Sequence, residues 1–155
     1  MTLFEAGDAA GTKALGARLA DALRDTATER PFVVTLAGDL GAGKTTFVAG
    51  LLAALGHGGP VRSPTYTLIE PYQFAGRDWY HCDFYRLRHA DELDDLGWRD
   101  LLVPGAILLV EWPEKAVGRL GPVDLAIEIE YVGAAGRQVK FEATSPAGIT
   151  VLAAL

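Results

Sequence analysis

Apolar residues change their period several times along the chain, and each change marks an expected element. From Asp8 to Thr28, Ala9, Leu15, Leu19 and Leu23 recur at near-helical spacing, with Asp8 placed to cap the first turn. Phe32 to Ala37 (FVVTLA) is a short uncharged run with β-branched residues, which predicts a buried strand. Gly38 to Gly43 reads as a glycine-rich turn, and Lys44 to Leu55 as a helix closed by Gly56. His57 to Thr65 reads as a loop. Thr67 to Tyr72 and the aromatic-rich Trp79 to Tyr85 are candidate strands. His89 to Leu96 reads as a short helix ending at Gly97, and Ala106 to Val110 as a central strand. Val123, Leu125, Ile127, Ile129 and Tyr131 alternate onto one face. Gln138 to Ala143 alternates too, so the pair predicts a hairpin through Gly133–Gly136. The last residues are apolar without a readable period. This order predicts an α/β fold: a mixed central sheet with a largely parallel centre, flanking helices and an antiparallel C-terminal hairpin.

Composition narrows the function. A chain of 155 residues fits one domain, spanning 1–155. Half of it is hydrophobic and 22% is charged, which argues against extensive disorder. Fourteen Lys+Arg face twenty Asp+Glu, a net charge of −6, so tight direct binding to nucleic acid is disfavoured. The single cysteine, Cys82, cannot form an internal disulfide, which points to the cytoplasm. No apolar window approaches the roughly 18 residues of a membrane span, and Met1–Ala10 holds two acids and no base, unlike a signal peptide.

The strongest chemical signal is Gly38-Asp39-Leu40-Gly41-Ala42-Gly43-Lys44-Thr45, which matches the phosphate-binding pattern G-x-x-x-x-G-K-[ST]. It follows a strand-like run and opens a helix, as such a loop requires. Glycines let the backbone approach phosphates, and unpaired amides at the helix start, through Thr46, favour an anion. Lys44 is placed to reach the β- and γ-phosphates, and Thr45 to ligate Mg²⁺. Glu111, directly after the Ala106–Val110 run, is the candidate for the metal-side acid, or else a surface acid after a strand. Asp83 shares a strand face with His81, so it serves either the metal and attacking water or an ion pair with Arg86 or Arg88. A zinc site in His81-Cys82-Asp83 is disfavoured, because adjacent strand residues point to opposite faces. Ser63-Pro64-Thr65 reads as a switch-like loop offering the Thr65 hydroxyl, or as a proline-stiffened turn.

The chain contains no Asn, so the Asn-Lys-x-Asp loop that reads guanine is absent and ATP is the expected nucleotide. Three functions fit: a nucleotide hydrolase, a small-molecule P-loop kinase, or a non-catalytic nucleotide-binding adaptor. A kinase would need a basic lid, and none is apparent among the scattered arginines.

Five segments occur together in one order: GDLGAGKTT (Gly38–Thr46), SPTYTLIEPY (Ser63–Tyr72), HCDFYRL (His81–Leu87), ELDDLG with Trp98, and LLVEWPEK (Leu108–Lys115). Together they closely resemble the bacterial tRNA threonylcarbamoyladenosine biosynthesis ATPases, the TsaE (formerly YjeE) family. The resemblance implies a P-loop NTPase fold that binds ATP and Mg²⁺ and hydrolyses ATP weakly alone. It implies partners, the TsaB and TsaD homologues, with tRNA contacted only indirectly through the complex. ATP hydrolysis would reset that complex, while TsaD transfers the threonylcarbamoyl group. Carried over by position, Lys44 would hold phosphates, Thr45 and Glu111 would hold Mg²⁺, and Asp83 would support hydrolysis. Trp112 would line the site or a partner surface. Thr12 would lie near the nucleotide, and Arg137, in the C-terminal hairpin, near the adenine.

Overall fold

The computed structural model describes residues 1–155. Its strands are β1 (Thr2–Ala6), β2 (Phe32–Ala37), β3 (Ile69–Phe74), β4 (Arg77–Asp83), β5 (Ile107–Glu111), β6 (Leu125–Val132) and β7 (Gly136–Ala143). Its helices are α1 (Ala9–Arg24), α2 (Lys44–Ala54), α3 (Glu92–Asp95), α4 (Trp98–Leu101) and α5 (Pro146–Ala153), with a 3-10 turn at Pro113–Ala116. All seven strands form one mixed sheet in the order β1-β7-β6-β2-β5-β4-β3. The centre is parallel: β2 pairs with β5 and β6, and β5 pairs with β4. Both margins are antiparallel, through β3 with β4, β6 with β7, and β7 with β1. The predicted class and hairpin are both present.

Period-two alternation sorts the central strands onto two cores. Phe32, Val34, Leu36, Leu125, Ile127, Ile129, Ile107 and Leu109 join α1 and α2 in the larger cluster. Val33, Leu108, Val110 and Cys82 face the opposite way, against Phe84, Leu93 and Trp98. On the first face, α1 lies against α2 with almost no gap. A Cβ at Gly16 would come 2.1 Å from the Phe47 carbonyl oxygen, and one at Gly50 would come 2.2 Å from that of Lys13. Two mid-helix glycines each sacrifice about 1 kcal/mol of helix propensity, and the close approach they permit seats α2 under the sheet edge that carries the site.

Several boundaries differ from the sequence reading for local reasons. Asp8 caps α1 as expected, accepting from the Gly11 N–H at 2.8 Å, but the helix stops at Arg24, short of Thr28. The expected helix His89–Leu96 is the shorter α3, Glu92–Asp95; Gly97, at φ 74°, ends the run as expected and starts the separate α4. Glu92 accepts from the Arg88 and His89 N–H groups, and these bonds lower its pKa. Besides α4 and the 3-10 turn, β1 and α5 had no expectation, the latter beginning with a Ser145 cap and Pro146 at its first turn. β1 and α5 both close the β6–β7 end of the sheet. Buried Asp124 ties this end together, accepting from the Val33 N–H at 2.9 Å, Ser145 Oγ at 2.5 Å and the Arg30 guanidinium.

Candidate functional site

The parallel strands β2, β4 and β5 all finish at one edge, where open α/β sheets bind ligands. Their register places Leu36 opposite Glu111, and Glu111 opposite Asp83. The chain leaves β2 through Gly38 at φ 146° and enters α2 through Gly43 at φ 112°, values that exclude a side chain with a Cβ. This path leaves the amide N–H groups of Gly43, Lys44, Thr45 and Thr46 without a protein acceptor. With the positive end of the α2 dipole, they form a concave anion cradle. The hairpin supports the cradle from outside. Arg137 Nε donates to the Ala42 carbonyl at 2.6 Å, the Arg137 guanidinium stacks 4.2 Å from the Tyr131 ring centroid, and Tyr131 Oη reaches the Leu40 carbonyl at 3.4 Å.

Lys44 is buried, and its ammonium donates to the Gly38 and Asp39 carbonyls at 2.5 and 2.9 Å. The Trp112 ring lies 4.3 Å away. Burial pushes the Lys44 pKa down, and Glu111, Asp83, Glu114 and Asp39 push it back up. Thr45 Oγ1 lies 3.0 and 3.1 Å from the two Glu111 oxygens, and His81 Nε2 lies 2.5 Å from Glu111 Oε2. Asp83 accepts from the Tyr85 N–H at 2.9 Å and from Ser63 Oγ. Trp112 has φ 58°, an uncommon conformation for a residue with a side chain. It turns the chain so that its ring faces Lys44, with the Tyr85 ring 4.9 Å away.

These groups enclose a cavity of about 290 Å³ lined by Lys44, Thr45, Thr46, Ser63, Thr65, Asp83, Tyr85, Glu111 and Trp112, with Leu40, Gly41 and Gly43 of the loop. A larger groove of about 710 Å³ between α1 and α2 opens beside it and shares Thr45 and Thr46. The donor set fits Mg²⁺. Thr45 and Glu111 offer hard oxygens side by side, and Mg²⁺ is usually bound through one or two carboxylates plus substrate phosphates. No group of three or more His, Cys, Asp or Glu residues is arranged to hold a metal without such phosphates.

This cradle and carboxylate arrangement occurs on a chain with clear relatives. The family described as "Threonylcarbamoyl adenosine biosynthesis protein TsaE" matches residues 6–139. The tRNA threonylcarbamoyladenosine biosynthesis protein TsaE of Haemophilus influenzae is 42% identical over 139 residues, covering 90% of this chain and 87% of its own. That of Bacillus subtilis is 40% identical over 111 residues, covering 72% and 69%. The crystal structure of Bacillus subtilis YdiB superposes with a TM-score of 0.74 at 30% identity, covering 98% of this chain and 91% of that one. The chain belongs to the TsaE family. It is therefore a protein of threonylcarbamoyladenosine biosynthesis with a nucleotide-binding P-loop fold.

For this TsaE-family chain, the structure gathers most of the sequence-derived candidates into one place. Lys44, Thr45, Thr46, Ser63, Thr65, Asp83, Glu111 and Trp112 share the cavity. The ion pair considered for Asp83 with Arg86 or Arg88 does not form; Ser63 and Tyr85 hold it instead. Thr65 lines the cavity, but Ser63 makes the hydroxyl contact to the carboxylate. Asp39 and Ala42 shape the loop through their backbone. Thr12 and Arg137 flank Gly43, with Thr12 Cγ2 3.6 Å and Arg137 Nε 3.9 Å from where its Cβ would lie, and neither lines the cavity. Sequence reasoning missed Tyr85 and Tyr131, and saw His81 only as a neighbour of Asp83. The His-x-Asp spacing on a strand was the available signal, because it puts both side chains on one face.

Proposed function

We propose that this chain is a Mg²⁺-dependent ATPase of 155 residues in a single P-loop domain. In this reading it serves the tRNA N6-threonylcarbamoyladenosine machinery in the cytoplasm. It cycles a complex of TsaB and TsaD homologues and leaves group transfer and tRNA contact to those partners. The observation that carries the reading is the convergence of four unpaired loop amides, a buried lysine, and a Thr–Glu pair in one cavity beside a second carboxylate. The amides and Lys44 bind the phosphate chain. The Thr45 hydroxyl and Glu111 carboxylate hold Mg²⁺, which when bound neutralises charge on the β- and γ-phosphate oxygens. Asp83 borders the same space and accepts a hydrogen bond from the attacking water. Trp112 and Tyr85 wall the cavity and limit solvent entry.

The acidic net charge supports a division of labour in which partners hold the tRNA. The kinase reading is weaker. Lys44 is the only cation lining the cavity, whereas transfer to a metabolite needs further cations over the phosphates and an acceptor pocket. The test is phosphate release from ATP, measured with and without Mg²⁺, by this chain alone and with both partner homologues. Slow release alone and marked stimulation by both partners is the expected result. If labelled γ-phosphate appears on a metabolite, the kinase reading replaces this one. If ATP binds but never turns over, with folded partners present, the protein is a non-catalytic adaptor.

A further inference from the structure

We propose that His81 is a positioning residue for Glu111, fixing through its Nε2–H which carboxylate oxygen is left for Thr45 and for a nucleotide-bound metal. The inference rests on the Mg²⁺–nucleotide reading above and adds a residue to it. Glu111 and His81 are both buried, and Nε2 lies 2.5 Å from Oε2. Thr45 alone does not orient the carboxylate. Its hydroxyl has one proton and sits almost equally far from the two oxygens, at 3.0 and 3.1 Å. The imidazole breaks that symmetry. With Oε2 also contacted by His81, Oε1 is the oxygen whose one side-chain contact is Thr45.

The placement is built into the sheet. His81 stands two residues before Asp83 on β4, and Asp83 pairs with Glu111 on the adjacent parallel strand. His81 therefore points to the same face as Asp83, one step further under the cradle. Its other ring nitrogen, Nδ1, is buried and has no partner. Burying an unpaired polar atom costs free energy that an apolar side chain would avoid. The contact with Glu111 is the one polar interaction that accounts for a histidine here. For His81 to donate to the carboxylate oxygen, the ring proton belongs on Nε2. An imidazole behind a metal-ligating carboxylate tunes the metal through ligand orientation.

Mn²⁺ binding in the presence of ADP, read by the loss of the free-ion electron paramagnetic resonance signal, tests this without turnover. His81→Phe should weaken Mn²⁺ binding by about 10- to 100-fold and leave metal-free ADP binding unchanged. His81→Gln, whose side-chain amide restores a donor near Nε2, should recover most of the loss. In a Glu111→Gln background, His81→Phe should add little, because the two residues act through one contact. In the wild-type protein, nitrogen-15 spectra of the histidines should place the His81 proton on Nε2. A His81→Phe protein that binds Mn²⁺ as the wild type does would overturn the proposal. So would a wild-type proton on Nδ1, which decides the matter even if the Phe variant does not fold. A wild-type protein that binds no Mn²⁺ with ADP would instead remove the metal–nucleotide reading, and this inference with it.

Discussion

Asp83 and Glu111 end neighbouring parallel strands in direct register, and both are buried, yet different parts of the molecule hold them. Glu111 contacts side chains on regular elements: Thr45 at the start of α2 and His81 within β4. Asp83 contacts loop groups: Ser63 Oγ and the Tyr85 N–H. A shift of the Ser63–Thr67 loop would therefore reach Asp83 directly and leave Glu111 in place. The pair separates the acid proposed for the metal, held by regular elements, from one with a loop hydroxyl among its contacts. Under the proposed function, that loop is the economical place for regulation by a partner to enter.

The comparison can be broken most severely at the cradle both acids serve. Lys44→Ala should lower ATP affinity by about 100- to 1,000-fold, the equivalent of losing two charge-assisted phosphate bonds, measured by titration calorimetry. Unchanged affinity would refute the phosphate assignment.

Next come the acids themselves. Glu111→Ala should cost about 100-fold in phosphate release and remove its Mg²⁺ dependence, whereas Asp83→Asn should slow release while metal affinity stays at the wild-type level. Equal effects on metal affinity would erase the distinction drawn here.

A fourth variant probes the support beneath the cradle. Gly16→Ala forces a Cβ into the Phe47 carbonyl and should destabilise the fold by about 1–3 kcal/mol in urea denaturation. A neutral result would mean that α1 slides without cost and the cradle is not braced by it.

Ser63→Ala removes the loop's hydroxyl contact to Asp83. Amide exchange over residues 63–67 should speed up by about tenfold, with residues 44–46 unaffected. If both regions loosen together, the loop and the cradle are one unit.

The smallest expected effect is in pH. Burial lowers the Lys44 pKa below 10.5, so between its folded value and 10.5 the unfolded chain binds more protons and stability rises with pH. Lys44→Met abolishes that contribution. The variant's stability advantage over wild type, or smaller disadvantage, should shrink as pH climbs towards 10.5 and hold constant below the folded value. A difference independent of pH across that window would show that the neighbouring carboxylates offset the burial of the ammonium in full.

Legibility in the sequence tracked how local the responsible physics was. Phe32–Ala37 was bounded to the residue because an uncharged β-branched run between a proline and a glycine has few other fates. The hairpin was readable from alternation, although β6 begins two residues later and β7 two residues earlier than the pattern indicated. β1 escaped notice because an edge strand of five residues is stabilised by pairing with β7, not by its own pattern. α5 carried a Ser-Pro start, but its apolar residues gave no period to read.

By itself the sequence determined the phosphate loop, the acid after the central strand, the two-faced strands and the family resemblance. These follow from residue type and spacing within a few residues of chain, where backbone geometry leaves little freedom. Tertiary structure decided which partners the acids take. That Asp83 goes to Ser63 and not to an arginine is a result of how the loop before β3 packs against the end of β4. That His81 meets Glu111 and that Arg137 braces Ala42 across 95 positions are results of strand order and register. Pairing of β4 with β5, and of β6 with β2, sets those distances. Hydrogen bonds fade within an ångström of their optimum, so only the assembled sheet could choose among donors that the sequence left equally available.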